Sequence, residues 1–320
     1  MSNRRRISYC IALFTLFAVA TTDSAAQVDD GSAQVRVPSL NGHRFIPSET
    51  VRDPFVNTYM LSQLGGGIAT DLVLPLIEID GDTLFLPSGD QLFVVLQYQY
   101  QQRIKKWLAV NVGFSTLGRL GTDAGALLLA GVTAATDLRL EWLFNVMRND
   151  RSALSFNLGF RNASTTVVDL FGFVEDVIDG VDSKLVDTIP SSQAIAGARY
   201  AYGFSSLVGV KISGTIFYGS KSKLRDPDNE VNFEFGGGVS LDPRKRFGIP
   251  VGVIVSYAFR TLSLGRDDSG SDSQEYELKF DYTKPNDFSF GPAITLKRFP
   301  GISGGSESSL NVTLTSRYYF

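Results

Sequence analysis

Cysteine and histidine are almost missing from this 320-residue chain, which has one of each, Cys10 and His43. One cysteine cannot build a disulfide framework, and this pair cannot supply a zinc ligand set. No metal and no other cofactor is therefore expected. A long apolar run is missing too: after Ala26 no stretch reaches the roughly 20 residues that a spanning helix requires. Nor does one sign of charge dominate. The 30 Lys and Arg are balanced by 33 Asp and Glu, and a net charge of -3 gives no electrostatic case for nucleic acid. A mean hydropathy of +0.04 is too low for a bundle of membrane helices. It does not weigh against a β-barrel, where only alternate residues face lipid.

What is present begins at the N-terminus. Arg4, Arg5 and Arg6 precede an apolar run from Ile11 to Ala20, and small residues follow up to Ser24-Ala25-Ala26. That order is the pattern of a secretory signal peptide, so residues 1–26 are expected to be removed. Cys10 lies inside this segment, which leaves the mature chain without a thiol. Residues 27–64 show little alternation and read as an N-terminal periplasmic or plug segment. Within it, Asn41-Gly42-His43-Arg44-Phe45-Ile46-Pro47 and Arg52-Asp53-Pro54-Phe55 combine turn formers with aromatics. A loose tail is the other reading.

Residues 65–320 alternate. Side chains along a strand point to opposite faces, so a wall with lipid on one side reads apolar at every second position. Leu92, Val94, Leu96, Tyr98 and Tyr100 share one face, with Gln91, Gln97, Gln99 and Gln101 on the other. Leu154, Phe156, Leu158 and Phe160 alternate with Ser155, Asn157, Gly159 and Arg161 in the same way. About twelve such strands are predicted, near 66–79, 90–102, 105–118, 135–148, 152–163, 192–203, 206–219, 229–241, 249–263, 273–284, 287–299 and 308–320. The links between them alternate strictly between short and long, as they do in barrels with tight periplasmic turns and larger outer loops. Periodicity alone also allows a soluble sandwich of two sheets.

The two ends of the chain separate these readings. The last strand alternates from Leu310 through Val312, Leu314 and Ser316 to Tyr318 and closes on Phe320. Following a signal peptide, this resembles the bacterial outer-membrane β-barrel proteins, of the porin-like or hydrophobic-substrate channel type. The resemblance implies an all-β, antiparallel up-and-down transmembrane barrel located in the Gram-negative outer membrane. It also implies contact with outer-membrane lipid and lipopolysaccharide, and recognition of Phe320 by the barrel assembly machinery.

Charges facing lipid at the midplane cost roughly 2–4 kcal/mol each for Arg or Lys, so the strand charges must point inward. The candidate lumen lining is Arg139, Glu141, Arg161, Arg199, Lys211, Glu234, Arg260, Lys279, Lys297 and Arg317. Such a lining either pairs with itself to hold the wall or selects among solutes. Two outer loops are apolar. Leu170, Phe171, Val174, Val177 and Ile178 fall at helical spacing, which predicts a helical outer loop, and Leu127 and Leu128 lie on its neighbour. Together they form a candidate apolar mouth or a packed cap. Catalysis has little support: His43 lies outside the predicted wall, and Gly301-Ile302-Ser303-Gly304-Gly305 lacks the strand–turn–helix setting of a nucleophile elbow. The expected function is passive transport of small solutes, hydrophobic ones among them. A closed structural or surface-interaction barrel is the alternative.

Overall fold

The computed structural model describes residues 37–73, 77–79, 82–85, 88–121, 132–168, 186–220, 229–262, 271–300 and 306–320. Residues 1–26 lie outside this set, as do Leu127, Leu128, Leu170, Phe171, Val174, Val177 and Ile178 of the candidate mouth.

Twelve long strands form the wall. They are β1 (Tyr59–Val73), β2 (Ser88–Lys105), β3 (Leu108–Gly121), β4 (Val132–Arg148), β5 (Ser152–Val168) and β6 (Val186–Gly203). The second half is β7 (Val208–Ser220), β8 (Asn229–Leu241), β9 (Val251–Leu262), β10 (Ser271–Tyr282), β11 (Phe288–Pro300) and β12 (Ser306–Tyr319). Each strand pairs antiparallel with its sequence neighbours, and β12 pairs with β1, so the sheet is a closed up-and-down barrel. Closure has a physical cause. Lipid offers backbone N–H and C=O groups no partners, so a spanning sheet cannot keep a free edge.

The side-chain pattern is inverted relative to a water-soluble core. Leu64, Val94, Phe160, Phe235 and Val255 are each more than half exposed, whereas Glu141, Lys211, Glu277 and Lys279 are buried. Apolar faces look outward and do not meet across two sheets, which removes the sandwich alternative. Among the described residues, no helix is long and apolar enough to cross a membrane. Tight links join β2 to β3, β4 to β5, β6 to β7, β8 to β9 and β10 to β11 at one rim, which also carries Phe320. Exposed aromatics gather there, with Tyr202 against Phe204 and Tyr318 against Phe320, each pair with centroids 4.9 Å apart. Such rings suit the boundary between lipid and water.

Two expectations shift. The first strand begins at Tyr59 and not near residue 66, and β5 and β6 run to Val168 and from Val186, well into the predicted loop. The first shift occurs where an inward residue breaks the alternation. Leu61 is apolar on the inner face because Val37 and Tyr319 cover it there. The one helix among the described residues is a single turn, Arg244–Phe247, ended by Gly248 at φ 73°.

Residues 37–58 complete the described chain ahead of β1. Ser39–Leu40 and His43–Arg44 pair across Asn41-Gly42, whose φ values of 50° and 77° fit a tight hairpin turn. This ribbon sits at the tight-link rim: the Asn41 amide N–H donates to the Asp150 carbonyl at 2.5 Å, and its side chain to the Gly203 carbonyl at 3.2 Å. The chain then enters the lumen and returns to the same rim, where Thr58 O accepts the Phe320 N–H at 3.1 Å.

Candidate functional site

The inserted segment closes the lumen near the tight-link rim through apolar contacts. Leu40, Phe45 and Phe55 pack with Ala153 and Ala201 of the wall, and Val56 packs with Ala109 and Leu143. Small wall residues leave room for large ones from the segment. Glycine does this most clearly: a Cβ at Gly209 would meet the His43 ring and Phe45, and one at Gly252 would run into Ile46. Either position with a side chain would expel the segment or distort the strand.

Polar contacts fix the segment's depth. The Glu277 carboxylate accepts from the Ser48, Thr50 and Ser256 hydroxyls and from the Glu49 and Thr50 amides. Arg44 donates to the carbonyls of Thr283 and Pro285 in the link between β10 and β11 and of Phe288 at the start of β11. Asp53 receives Lys211 Nζ at 2.8 Å and Arg317 Nη1 at 2.6 Å. Burial alone would raise the Asp53 carboxyl, but these two cations hold it at about 2. Burial raises the Glu49 carboxyl, and neighbouring Glu277 adds to that, while the Thr313 and Thr315 hydroxyls oppose it. Burial lowers His43 to about 4.

Beyond the segment, away from the tight links, the lumen opens into a polar cavity of about 220 Å³. Arg52, Asp53 and Glu49 of the segment form its floor, and Gln63, Gln97, Gln99, Asn111 and Thr315 lie among the wall residues around it. Six of the ten predicted lumen residues line it directly, five of them Arg139, Arg161, Arg199, Arg260 and Arg317. Lys279 is the sixth, buried at 1 % exposure. Glu141 and Glu234 stand behind as ion-pair partners, and Lys211 stands behind Asp53. Lys297 is set apart, 3.6 Å from Glu275.

Pairing within the cluster is uneven. Arg52, at 2.9 Å, Arg139, at 3.4 Å, and Arg199 all converge on the single carboxylate of Glu141. Arg161 holds Asp137 at 2.6 Å, and Arg260 holds Glu234. The guanidiniums of Arg139 and Arg260 also flank the ring of Phe217, at 5.9 and 5.6 Å. The wall side of this arrangement is legible as charged residues at alternate strand positions. The segment side is not: Arg52 and Asp53 lie in irregular chain, and only their opposite charges in an otherwise weakly patterned stretch could have marked them.

One contact resembles catalytic geometry. His43 Nε2 lies 2.7 Å from the Ser240 hydroxyl, near Asp242. All three residues are fully buried, and none of the three lines the cavity. A nucleophile needs an approach for substrate, and this trio has none from the cavity. It is a packing contact.

No protein-family model matches the chain, and no curated protein sequence does. Solved structures do match. An outer membrane channel from Pseudomonas putida F1 superposes with a TM-score of 0.54 at 10 % identity, covering 87 % of this chain and 100 % of that one. The translocator domain of the autotransporter NalP from Neisseria meningitidis superposes at 0.50, also at 10 % identity, over 82 % and 88 %. The fold is that of the outer-membrane β-barrels. At such identities the likeness concerns architecture alone.

Proposed function

We propose that this protein is an outer-membrane channel for small solutes, gated at its periplasmic end by residues 37–58. One observation carries the reading. The lumen is blocked by a separate stretch of chain, held by discrete ionic, hydrogen-bonded and apolar contacts, and not by the wall's own side chains. A barrel built only for rigidity would fill its interior from the wall. Here the wall instead provides glycine seats at Gly209 and Gly252 for something that comes and goes, and a polar cavity lies behind it. The described lining favours polar solutes over hydrophobic ones.

The tight-link rim corresponds to the periplasm, where such turns belong. Phe320, 56 % exposed at that rim, is the residue the assembly machinery would read, and the outward apolar belt would take outer-membrane lipid and lipopolysaccharide. A cleaved signal peptide over residues 1–26 completes the route.

The test is reconstitution of the full mature chain into planar bilayers. Brief openings are expected from the native protein and a raised open probability from Gly209→Val. Current absent from both, with folding verified by heat-modifiable gel mobility, would leave the closed structural barrel as the better account.

A further inference from the structure

The cavity has more positive charge than its own carboxylates neutralise. Eight cations face it or stand directly behind it: Arg52, Arg139, Arg161, Arg199, Lys211, Arg260, Lys279 and Arg317. Seven carboxylates answer them, Glu49, Asp53, Asp137, Glu141, Glu234, Glu277 and Asp281, the last acting on Lys279 and Arg317. The surplus of one is not spread evenly. Three arginines share Glu141, and two of them are in excess there. Burial makes an uncompensated charge costly, so it normally calls for a partner.

Donors without acceptors mark the same place. Arg199 is 4 % exposed, and its Nε has no hydrogen-bond partner among the described residues. Arg317 Nε is likewise orphaned. Lys279 lines the cavity and, among the described residues, neither donates a hydrogen bond nor has a carboxylate within ion-pair distance. Guanidinium groups match the planar, two-oxygen edge of an oxyanion with paired N–H donors. The volume limits the guest. At about 220 Å³ the space is below the roughly 300 Å³ at which pockets for drug-sized ligands begin. It suits a compact anion with few atoms beyond the oxyanion head.

We infer that the solute bound in this lumen is a small oxyanion, a compact carboxylate or inorganic phosphate, seated against Arg52, Arg139 and Arg199. The inference deepens the channel reading and rests on it for the word solute, but the binding site stands on its own geometry. A neutral or cationic guest would leave the surplus in place. Glu141 then has a positioning role: it draws the three guanidiniums together and neutralises one of them.

Two measurements separate this inference from the gating one. The first is binding without transport: titration of the detergent-solubilised full chain with benzoate, acetate or inorganic phosphate, read by calorimetry. Saturable binding of at least one is expected, with choline and glucose as silent comparisons. Arg139→Gln and Arg199→Gln should each weaken it about tenfold or more, since each removes charge-assisted hydrogen bonds. Lys106→Gln, in the exposed link between β2 and β3, should leave it unchanged. The preferred anion distinguishes a carboxylate from a phosphate site. The second measurement is the reversal potential in a potassium chloride gradient, expected to show anion preference that falls in both arginine variants. Binding without current would uphold the oxyanion site and sink the channel. Current that is cation-selective, or a folded protein that binds none of the three anions, would overturn the oxyanion site and leave the channel standing. Should Arg199→Gln fail to fold, Arg139→Gln, at a longer contact to Glu141, still decides the matter.

Discussion

Replacing Asp53 with Asn tests the gate at its strongest ionic anchor. The carboxylate is bound on one oxygen by Lys211, which is fully buried, and on the other by Arg317. Asparagine keeps the shape and removes the charge. Breaking a buried ion pair by losing one partner costs about 3–5 kcal/mol, because the remaining charge stays desolvated. Here the lower end applies. Lys211 keeps a hydrogen bond to the Ile46 carbonyl at 2.8 Å, and Arg317 keeps its place over the Tyr59 ring, 4.4 Å from the centroid. A loss of about 3 kcal/mol multiplies the ratio of withdrawn to inserted segment by roughly 100. The penalty falls on the inserted state, since withdrawal lets water reach both cations. Single-channel recording of Asp53→Asn should show open probability rising toward saturation at neutral pH. In the native protein the same contribution is complete above the ordinary carboxyl value of 3.8 and is lost only as pH falls through about 2. A folded Asp53→Asn with unchanged gating would refute the assignment of this contact to the gate.

Three other outcomes follow from the same contacts. Ser48 and Ser256 place their hydroxyl oxygens 3.1 Å apart, so Ser48→Cys with Ser256→Cys should form a disulfide that silences the pore until a reductant is added; conductance that ignores the reductant counts against a moving segment. His43 is packed neutral against Ser240, Phe45 and Gly209, close to Asp242 and Lys211, so its contribution is present above 6.5 and is lost as pH falls toward about 4. Acidifying from pH 7 to 5 should therefore raise open probability in the native chain but less in His43→Gln, while protonation of Glu49 beside Glu277 works the other way; equal responses in both proteins would exclude His43 as the source. Finally, Leu64→Arg puts a charge on an outward position that is 58 % exposed, and it should lower stability in bilayers by roughly 2–4 kcal/mol if that position lies at mid-membrane, measured by urea unfolding in lipid vesicles.

Much of the wall can be read from the chain because one simple constraint acts on nearly every strand. Phe156, Leu158 and Phe160 must face out, and Ser155, Asn157 and Gly159 must face in. The constraint fails where the interior ceases to be aqueous. At the level of the inserted segment, Leu61, Leu143 and Ile254 turn apolar side chains inward, and the period of two fades on β1. The charged lining at Arg139, Arg199 and Arg317 was legible for the same reason as the wall. That three arginines converge on Glu141 was not, because Arg52 comes from irregular chain 89 positions away. Sequence spacing has no period to offer for such a meeting.

The two ends of the inserted hairpin have a mechanical consequence. Val37 is tied to the Asn286 carbonyl and Thr58 to Phe320, both at the rim from which the hairpin enters. Residues 37–58 are not threaded from one opening to the other, so this stretch can be drawn out like a cork on a leash without parting any pair of wall strands. A pull at Val37 would act at the rim itself, and the leash at Tyr59 would return the cork to the same neck.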